Sequence, residues 1–319
     1  MRRRSGAGGA VIPALKPAAL IDALAHTIVG QQATLDALVR AAIAGGHVLL
    51  EGPPGLAKTL ACRALAAALD GTFKRVQFTP DLLPSDVVGT RVFDQRSGNF
   101  TTVAGPVFAN VVLADEINRA PAKVQSALLE AMQERQVTIG PETHALPDPF
   151  IVTATMNPLD GDGTYALPLA QMDRFLVKLV VDYPSPEQEL TILERFGGEA
   201  PPFERHVASM ADVLRWRAAA HDVFIERRLA AYIVALVGAT REPHSYVERG
   251  AGPRATLALA AMSRASALVD GRTFITPDDV RVNAAAVLRH RITFNYRLLT
   301  QRIDAEAVVA ELIAGVPVP

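Results

Sequence analysis

The first part of the chain alternates between helical and strand-like hydrophobic patterns. Apolar residues recur every three or four positions over residues 18–44, with a break at Val29-Gly30-Gln31, which predicts two helices. Short apolar runs follow, and they are continuous rather than alternating, as in parallel strands that are buried on both faces. These predicted strands cover residues 47–50, 73–78, 111–114, 150–155 and 175–181.

Helical patterns separate most of these runs. Within residues 121–133, for example, Val124, Leu128 and Met132 share one face of a helix. Strands that alternate with helices predict an α/β fold, here a parallel five-stranded sheet with crossover helices on both faces. Two stretches break this alternation and have the pattern of surface hairpins, residues 90–103 and 136–149.

The pattern changes near residue 184. Ser185 and Gln188 have the spacing of a capping box around Pro186, so a helix is predicted to begin there. A similar start signal recurs at Thr276-Pro277-Asp278-Asp279, and residues 185–319 show helical periodicity and no strong strand. The sequence therefore predicts a flexible start (residues 1–17), an α/β domain (18–184) and a small all-helical domain (185–319).

Composition and charge are those of an ordinary globular protein, with 50% hydrophobic and 20% charged residues in a chain of 319. The formal net charge of −1 gives no electrostatic reason to expect a nucleic acid or a membrane surface as partner. The one cysteine, Cys62, excludes an intramolecular disulfide and suits a reducing compartment. Its place on a predicted helix is typical of a small buried residue.

Neither an export signal nor a membrane span is predicted. Arg2-Arg3-Arg4 is followed by Pro13, Lys16 and Pro17, which interrupt the apolar core that a signal peptide needs. The longest clean apolar run, residues 229–239, is about half the length of a membrane-spanning helix. We therefore expect a cytoplasmic protein that does not insert into membranes.

Candidate chemistry begins directly after the first predicted strand, at Glu51-Gly52-Pro53-Pro54-Gly55-Leu56-Ala57-Lys58-Thr59, which leads into a helix at Leu60. A strand, a glycine turn and a helix bind phosphate well, because backbone N–H groups and the positive end of the helix dipole face the anion. Lys58 would contact the β- and γ-phosphates, and the Thr59 hydroxyl would ligate Mg²⁺. The alternative is a plain Gly/Pro turn that precedes Lys-Thr.

One position departs from the usual phosphate-loop pattern, since Ala57 stands where the last glycine is expected. Only a left-handed backbone demands glycine. The loop is therefore expected to tolerate alanine provided that Ala57 has a helical φ.

Two acids, Asp115 and Glu116, end the third predicted strand. The carboxyl ends of parallel strands form the ligand crevice, so these acids should lie near the phosphate loop. Asp115 would hold Mg²⁺, directly or through water, and Glu116 would orient and activate the attacking water. Alone, the pair is equally typical of a solvated strand end. Together with the phosphate loop it predicts a site for ATP and Mg²⁺.

Three further polar residues are candidates. Asn157 follows the fourth strand, where it would lie between the two acids and position water, or simply form a turn before proline. Arg174 precedes the last strand, and Arg254 opens a helix of the second domain. Such arginines are more often surface or ion-pair residues. A nucleotide site nevertheless gains most from arginines that arrive from another domain or subunit, since they act only after assembly.

Together these residues resemble the AAA+ ATPases, and specifically the MoxR family, from about residue 18 onward. The motifs that carry the resemblance are Gly55-Leu56-Ala57-Lys58-Thr59, residues 114–125, Thr155-Met156-Asn157-Pro158 and Asp173-Arg174-Phe175. The resemblance implies a P-loop NTPase sheet followed by a helical lid, with ATP and Mg²⁺ bound between them. It also implies a ring, a hexamer, that remodels protein clients like a chaperone or aids cofactor or metal insertion, often beside a von Willebrand factor A domain protein.

The resemblance also implies roles for single residues. Val29-Gly30-Gln31 would contact adenine, Asn157 would be sensor 1, Arg174 the arginine finger and Arg254 sensor 2. Alanine at position 57 is usual in this family. The hairpin at 90–103 corresponds to the helix-2 insert and the one at 136–149 to the pre-sensor-1 hairpin. The glutamate that usually precedes the finger is missing from residues 167–171, so Arg119 is the alternative trans-acting arginine.

Some alternatives stay open at this point. Arg174 is expected to act on a neighbour's ATP, because it starts its strand whereas Lys58 and Glu116 follow the ends of theirs. The hairpin around Phe93 and Phe100 is expected to face the ring axis or a partner, or else to be a plain surface hairpin. A nucleotide-gated scaffold with little turnover and a DNA-acting motor are the rival functions. The near-neutral charge and few aromatic residues argue against the motor, and the missing N-K-x-D motif favours adenine over guanine.

Overall fold

The computed structural model describes residues 16–96, 98–157, 164–197 and 203–319. Most of the predicted flexible start, residues 1–15, lies outside the described residues, as do Ser97 and Pro158. The helices are α1 (Ala18–Thr27), α2 (Gln32–Ala44), α3 (Lys58–Ala68), α4 (Pro84–Val88), α5 (Ala122–Glu134), α6 (Leu169–Met172), α7 (Pro186–Phe196), α8 (Met210–Asp222), α9 (Arg227–Ala239), α10 (Pro253–Val269), α11 (Pro277–Leu288), α12 (Tyr296–Thr300) and α13 (Ala305–Ala314). The strands are β1 (Val48–Glu51), β2 (Phe73–Gln77), β3 (Gly89–Asp94), β4 (Asn99–Ala104), β5 (Val111–Asp115), β6 (Gln136–Ile139), β7 (Glu142–Ala145), β8 (Ile151–Met156), β9 (Val177–Val180), β10 (Val247–Arg249) and β11 (Thr293–Phe294).

The five predicted core strands form one sheet in the order β2-β5-β8-β1-β9, and every pairing in it is parallel. In the centre, Leu50 of β1 lies beside Thr155 of β8 on one side and Leu179 of β9 on the other. This register aligns the carboxyl ends of all five strands along one edge of the sheet. The predicted parallel five-stranded sheet is confirmed.

Helices cover both faces of this sheet. Val48 and Leu50 point into a core that also contains Leu65 of α3, whereas Leu49 points into a second core that contains Leu128 of α5. Because side chains alternate along a strand, consecutive residues of β1 pack against opposite layers. The prediction of helices on both faces is therefore confirmed.

The second strand departs from its prediction. Residues 73–78 were expected to be buried on both faces, but within β2 only Val76 is buried, and Lys74, Arg75 and Gln77 are exposed. The reason is position, since β2 is an edge strand with one neighbour, β5. The prediction of full burial was wrong for this strand, and its polar side chains are free to reach the site described below.

Both predicted hairpins are present. β3 pairs with β4 in antiparallel register, with Phe93 opposite Phe100, and β6 pairs with β7. The β3–β4 hairpin leaves the sheet between β2 and β5 in the chain, and both of its phenylalanines are exposed.

The C-terminal region begins as the capping signals predict. The Ser185 N–H donates to Gln188 Oε1 at 2.9 Å, and Gln188 N–H donates back to Ser185 Oγ at 3.3 Å. Thr276 forms the corresponding box with Asp279 at the start of α11. One addition is needed to the all-helical expectation, because the short strands β10 and β11 form a small antiparallel pair.

The C-terminal helices share a core with the α/β layer. Trp216 of α8 and Leu259 of α10 belong to the same buried cluster as Leu38 of α2, and both helices pack against α2. Among the described residues, no helix has the length and the apolar character that crossing a membrane requires.

Candidate nucleotide site

The loop between β1 and α3 approaches its neighbours closely. A Cβ atom on Gly52 would lie 2.5 Å from the carbonyl oxygen of Val181, so only glycine fits beside the end of β9. Gly55 has a φ of +84°, which favours glycine. The sequence therefore supplies glycine where a side chain would either clash or strain the turn.

Ala57 corrects one expectation. Its φ of 56° and ψ of 16° are left-handed, not right-handed helical. An L-residue pays on the order of 1 kcal/mol for this conformation, which the surrounding loop must offset. The helix that follows helps to fix this conformation. Ala57 is the N-cap of α3, and its carbonyl accepts the first helical hydrogen bond, from Ala61 N–H at 2.9 Å.

Lys58 and Thr59 form the first turn of α3, beside a cavity of 410 Å³ that we call the phosphate cavity. Lys58 Nζ donates to the carbonyl oxygen of Gly52 at 2.6 Å, so the ammonium group lies over the loop. The cavity is lined by Pro54, Gly55, Leu56, Ala57, Lys58, Thr59, Leu60, Arg75, Gln77, Asp115, Glu116, Thr155 and Asn157. The structure thus brings the predicted phosphate loop, the two acids and Asn157 together.

The two acids are held by one threonine. Thr155 Oγ1 donates to Asp115 Oδ1 at 2.6 Å and accepts the Glu116 N–H at 2.9 Å. Glu116 has a φ of 57°, a left-handed conformation that a non-glycine residue keeps only where its surroundings impose it. Thr155 lies on β8, directly beside β5, and it therefore fixes the Asp115 carboxylate and the Glu116 backbone relative to the central strands.

Two residues of β2 complete the acid cluster, and the sequence interpretation missed both. Arg75 Nε and Nη2 donate to Asp115 Oδ2 at 3.0 and 2.6 Å, and Gln77 Nε2 donates to Glu116 Oε2 at 2.7 Å. Arg75 Nη2 also donates to Gln77 Oε1 at 2.7 Å, which links the two contacts. The sequence signal that could have found them is their spacing of two residues, which places both on one face of a strand with a polar end. Using it also requires knowing that β2 lies beside β5.

The other candidate residues near this end of the sheet have separate positions. Arg119 Nε lies 3.1 Å from Glu116 Oε2 of its own chain. Asn157 follows β8, which lies between β5 and β1, and it lines the phosphate cavity with both acids, whereas its place between the two acids stays a prediction. Gln31 Nε2 donates to the carbonyl oxygen of Asp182 just beyond β9, at 3.0 Å. Val29-Gly30-Gln31 therefore lies beside the sheet's carboxyl edge, and its contact with adenine stays a prediction.

Arg174 and Arg254 lie at the other end of the sheet. They line a cavity of 330 Å³ together with His47, which precedes β1, and Arg291, which follows α11. The phosphate loop follows β1, a strand of four residues that spans about 13 Å. The two arginines predicted to act on ATP are therefore separated from the phosphate cavity of their own chain by the length of the sheet.

Around Asp173 these arginines form what we call the arginine cluster, Arg174, Arg254 and Arg291. Asp173 Oδ2 lies 3.3 Å from Arg254 Nη1, and Asp173 Oδ1 accepts from Arg291 Nε at 2.7 Å. A nucleotide was expected between the α/β layer and the lid. The lining of the phosphate cavity comes entirely from the α/β region, so within the described residues the lid arginine faces a different opening.

Two buried ionisable groups, Cys62 and His47, are neutral and structural. Burial raises the pKa of the Cys62 thiol on α3 to about 12, which agrees with its interpretation as a packed, unreactive residue. Burial, with the nearby charge of Arg135, lowers the pKa of His47 to about 3. His47 accepts the Val152 N–H at 3.0 Å on one ring nitrogen and contacts the Met132 carbonyl at 3.1 Å with the other.

The donor set fits a magnesium nucleotide. In the part of the chain that the structure describes, no group of three or more His, Cys, Asp or Glu side chains could hold a metal alone. Mg²⁺ in nucleotide sites characteristically uses one or two protein oxygens and takes the rest from phosphates and water. Thr59 and Asp115, which both line the phosphate cavity, are suitable protein ligands of this kind.

Comparisons with known proteins agree with this geometry. Residues 47–177 match the family described as "ATPase family associated with various cellular activities (AAA)", and residues 239–312 match "AAA lid domain". The chain is similar to "Chaperone MoxR1" of Mycobacterium tuberculosis, with 48% identity over 300 residues that cover 92% of this chain and 79% of the relative. It is also similar to "Protein MoxR" of Paracoccus denitrificans, with 32% identity over 330 residues that cover 93% and 94% of the two chains.

A solved structure gives the same result for the fold. A crystal structure from Cytophaga hutchinsonii, described as that of a candidate ATPase, superposes with a TM-score of 0.87. The two sequences are 43% identical, and the superposition covers 94% of each chain. The sheet and the C-terminal helices therefore belong to one shared architecture.

Proposed function

The chain belongs to the MoxR family of AAA+ ATPases, which hydrolyse ATP, and we propose that it works as a hexameric ring whose sites are completed by arginines of the neighbouring subunit. The observation that carries the proposal is the separation between the phosphate cavity and the arginine cluster, which lie at opposite ends of the sheet. Two copies in head-to-tail contact would bring these ends together, and contacts of this kind close into rings.

The phosphate cavity supports specific roles in binding. The backbone N–H groups of residues 55–60 and the ammonium group of Lys58 would bind the β- and γ-phosphates of ATP. Thr59 and Asp115 would hold Mg²⁺, which when bound neutralises charge on the phosphates. Val29-Gly30-Gln31, at the same edge of the sheet, would contact adenine.

Catalysis would depend on Glu116 and Asn157. Glu116 would accept a proton from the attacking water and orient it towards the γ-phosphate. Its hydrogen bond to Gln77 and its ion pair with Arg119 hold the carboxylate ready in one position. Asn157 would align the same water from the neighbouring strand. The ion pair with Glu116 of its own chain makes Arg119 a weaker candidate for a trans-acting arginine than Arg174.

Arg174 and Arg254 would approach the γ-phosphate of the neighbouring subunit. An arginine finger can contribute on the order of 10³–10⁵ in rate, mainly by stabilising the charge of the transition state. Arg254 comes from the lid, and its guanidinium contacts Asp173, the residue directly before Arg174. Lid and sheet edge would thus reach the neighbour as one surface.

The client of the ring is proposed to be a protein, as for a chaperone that remodels other proteins or aids cofactor or metal insertion. Phe93 and Phe100 of the β3–β4 hairpin are 50% and 56% exposed, and their ring centroids lie 5.2 Å apart. An exposed aromatic pair beside a polar turn suits contact with an apolar segment of a partner, which could be a von Willebrand factor A domain protein. The formal net charge of −1 offers little attraction for DNA.

Mixing two inactive variants tests the ring proposal. Lys58→Ala should abolish nucleotide binding, whereas Arg174→Ala should bind ATP normally and hydrolyse it 10³–10⁵-fold more slowly. Mixed rings contain interfaces that pair an intact phosphate loop with an intact finger, so steady-state ATPase activity should return. Arg281→Ala, an exposed arginine on α11, is the control and should stay active. Mixed rings that form but remain inactive would refute trans action by Arg174 and leave Arg119 as the candidate. An undetectable wild-type ATPase rate would favour the nucleotide-gated scaffold.

The client proposal is tested on the same rings. Replacing residues 94–99 with a short Gly-Ser turn should leave basal hydrolysis and the melting temperature unchanged while removing any stimulation by an unfolded protein such as casein. Stimulation by duplex DNA instead of protein would favour a DNA-acting motor. A large drop in melting temperature would identify the hairpin as structural.

A further inference from the structure

Asp173 is shared by two arginines that come from different helices of the C-terminal region. Arg254 lies in the first turn of α10, and Arg291 lies three residues beyond the end of α11. One carboxylate oxygen of Asp173 contacts each of them, at 3.3 and 2.7 Å. Asp173 itself directly precedes Arg174 in the chain. A single carboxylate therefore contacts two members of the arginine cluster, and the third is the next residue in the chain.

Burial makes one of these contacts much firmer than the other. The side chain of Arg291 is 2% exposed, whereas that of Arg254 is 51% exposed. A buried guanidinium needs a compensating charge, and removing one partner of a buried pair is strongly destabilising. Asp173 is the carboxylate that pairs with Arg291 among the described residues. The position of Asp173 is therefore set by Arg291, and Asp173 in turn offers its second oxygen to Arg254.

The backbone after Arg174 is held by the same segment. Arg291 donates to the carbonyl oxygens of Phe175 and Leu176 at 2.6 and 3.0 Å. His290 contacts the Phe175 carbonyl at 3.1 Å, and Arg289 donates to the Lys178 carbonyl at 3.0 Å. Three consecutive residues, 289–291, thus hold the start of edge strand β9, which follows the predicted arginine finger Arg174.

We propose that Asp173 is a positioning residue for hydrolysis in trans: it holds Arg254 at a set distance from Arg174, so that both arginines reach the neighbouring subunit's nucleotide together. The inference rests on the proposed function, in which Arg174 and Arg254 act across the interface. Asp173 touches neither nucleotide in this account. Its effect on hydrolysis is transmitted through the two arginines, and its own chain's phosphate cavity lies at the far end of the sheet.

The test is an Asp173→Asn variant, which keeps the shape of the side chain and removes its charge. ATP affinity, measured by calorimetry, should stay within twofold of wild type, whereas kcat should fall at least tenfold with little change in KM. The matched control is Asp148→Asn, which removes an exposed carboxylate 3.4 Å from Arg217 at the same end of the sheet and should leave kcat unchanged.

Mixing experiments separate positioning from general damage. Rings of Asp173→Asn with Lys58→Ala should regain activity, because the first variant supplies intact phosphate loops and the second intact arginines. Rings of Asp173→Asn with Arg174→Ala should stay inactive, because both lack a working finger. A variant that was merely misfolded would regain activity with neither partner.

A double variant keeps the test decisive if Asp173→Asn folds poorly. Asp173→Asn with Arg291→Gln removes the carboxylate and the buried charge together, so no uncompensated charge stays buried, and Gln keeps an N–H donor at position 291. It should show the same mixing pattern. A wild-type kcat in both the single and the double variant would overturn the role of Asp173 alone. So would Asp173→Asn that stays inactive in mixed rings with Lys58→Ala, if Arg174→Ala regains activity in the same mixture. If Arg174→Ala also fails to recover in mixed rings, trans action itself is refuted and the inference falls with it.

Discussion

The two ends of the central sheet are built in opposite ways. At the carboxyl end, the charged groups lie on an edge strand, follow or end strands, or begin a helix, two non-glycine residues have left-handed backbone, and the carboxylates are paired with partly exposed side chains. At the amino end, His47, His290 and Arg291 are buried and bonded to backbone carbonyls. Polar groups are thus held loosely at one end and tightly at the other.

This difference suits two different tasks. A site that takes up a charged ligand must exchange its internal partners for that ligand, so contacts such as Lys58 to Gly52 and Arg75 to Asp115 should be easy to break. A surface that presents arginines to a neighbour gains from having a fixed shape, because less conformational entropy is lost on contact. Substitutions at the two ends should therefore change different properties of the protein, hydrolysis and metal binding at the carboxyl end and stability at the amino end.

Within the phosphate cavity, at the carboxyl end, the largest effect on hydrolysis is expected for Glu116→Gln. Hydrolysis should slow by about 10²–10⁴-fold, the usual consequence of losing a general base, while ATP and Mg²⁺ binding persist because Asp115 is intact. Asp115→Asn should instead weaken Mg²⁺ binding. Calorimetry and a steady-state phosphate assay measure the two properties. Our division of roles is wrong if Asp115→Asn spares turnover and Glu116→Gln abolishes metal binding.

The second effect is at the amino end and concerns stability. Because the pKa of His47 is lowered to about 3 in the folded state, the unfolded chain binds a proton more readily. The contribution of neutral His47 to the free energy of unfolding is therefore fully present above the ordinary histidine pKa of 6.5. It is lost as the pH falls from there towards 3. Between pH 7 and pH 5 the loss from His47 should be about 2 kcal/mol.

Urea unfolding at the two pH values measures this loss. His47→Gln can still donate to one neighbour and accept from another, and it should remove the His47 share of the pH dependence. His290, whose pKa is also lowered by burial, contributes loss of the same sign and remains in the variant. Equal pH dependence in wild type and His47→Gln would contradict the assignment.

The smallest effect concerns Arg75. Its pair with Asp115 competes with the metal, and a partly exposed ion pair contributes about 0.2–1 kcal/mol. Arg75→Ala should therefore tighten Mg²⁺ binding to the ADP-bound protein by up to about fivefold. Titration with Mn²⁺ followed by electron paramagnetic resonance measures this directly. Lys74→Ala, an exposed cation on the same strand, should have no effect, and weaker binding in Arg75→Ala would show that Arg75 orients Asp115 for the metal.

Much of the fold follows from local signals in the sequence. Continuous apolar runs, the capping boxes at Ser185 and Thr276, and the glycines of the phosphate loop each act over a few residues. They therefore predicted the strands, the helix starts and the binding loop. The grouping of Lys58, Asp115 and Asn157 followed from one further rule, that parallel strands end at the same edge.

What the sequence did not reveal depends on strand order and on side-chain partners. Arg75 and Gln77 reach the two acids because β2 lies beside β5, although β3 and β4 separate those strands in the chain. Ala57 is left-handed because of how the loop enters α3, which its residue type does not signal. Asp173 lies 81 and 118 positions from Arg254 and Arg291 in the chain, and no local pattern predicts its contacts with them.

The core that α2 shares with α8 and α10 has a consequence for biosynthesis. A ribosome releases α2 early, but the helices that cover its apolar face, with Trp216 and Leu259, are made only after the whole sheet. Until then the nascent α/β layer exposes a surface that attracts other unfolded chains. Translation that stalls between the sheet and α10 should therefore yield an aggregation-prone fragment, not a stable nucleotide-binding half.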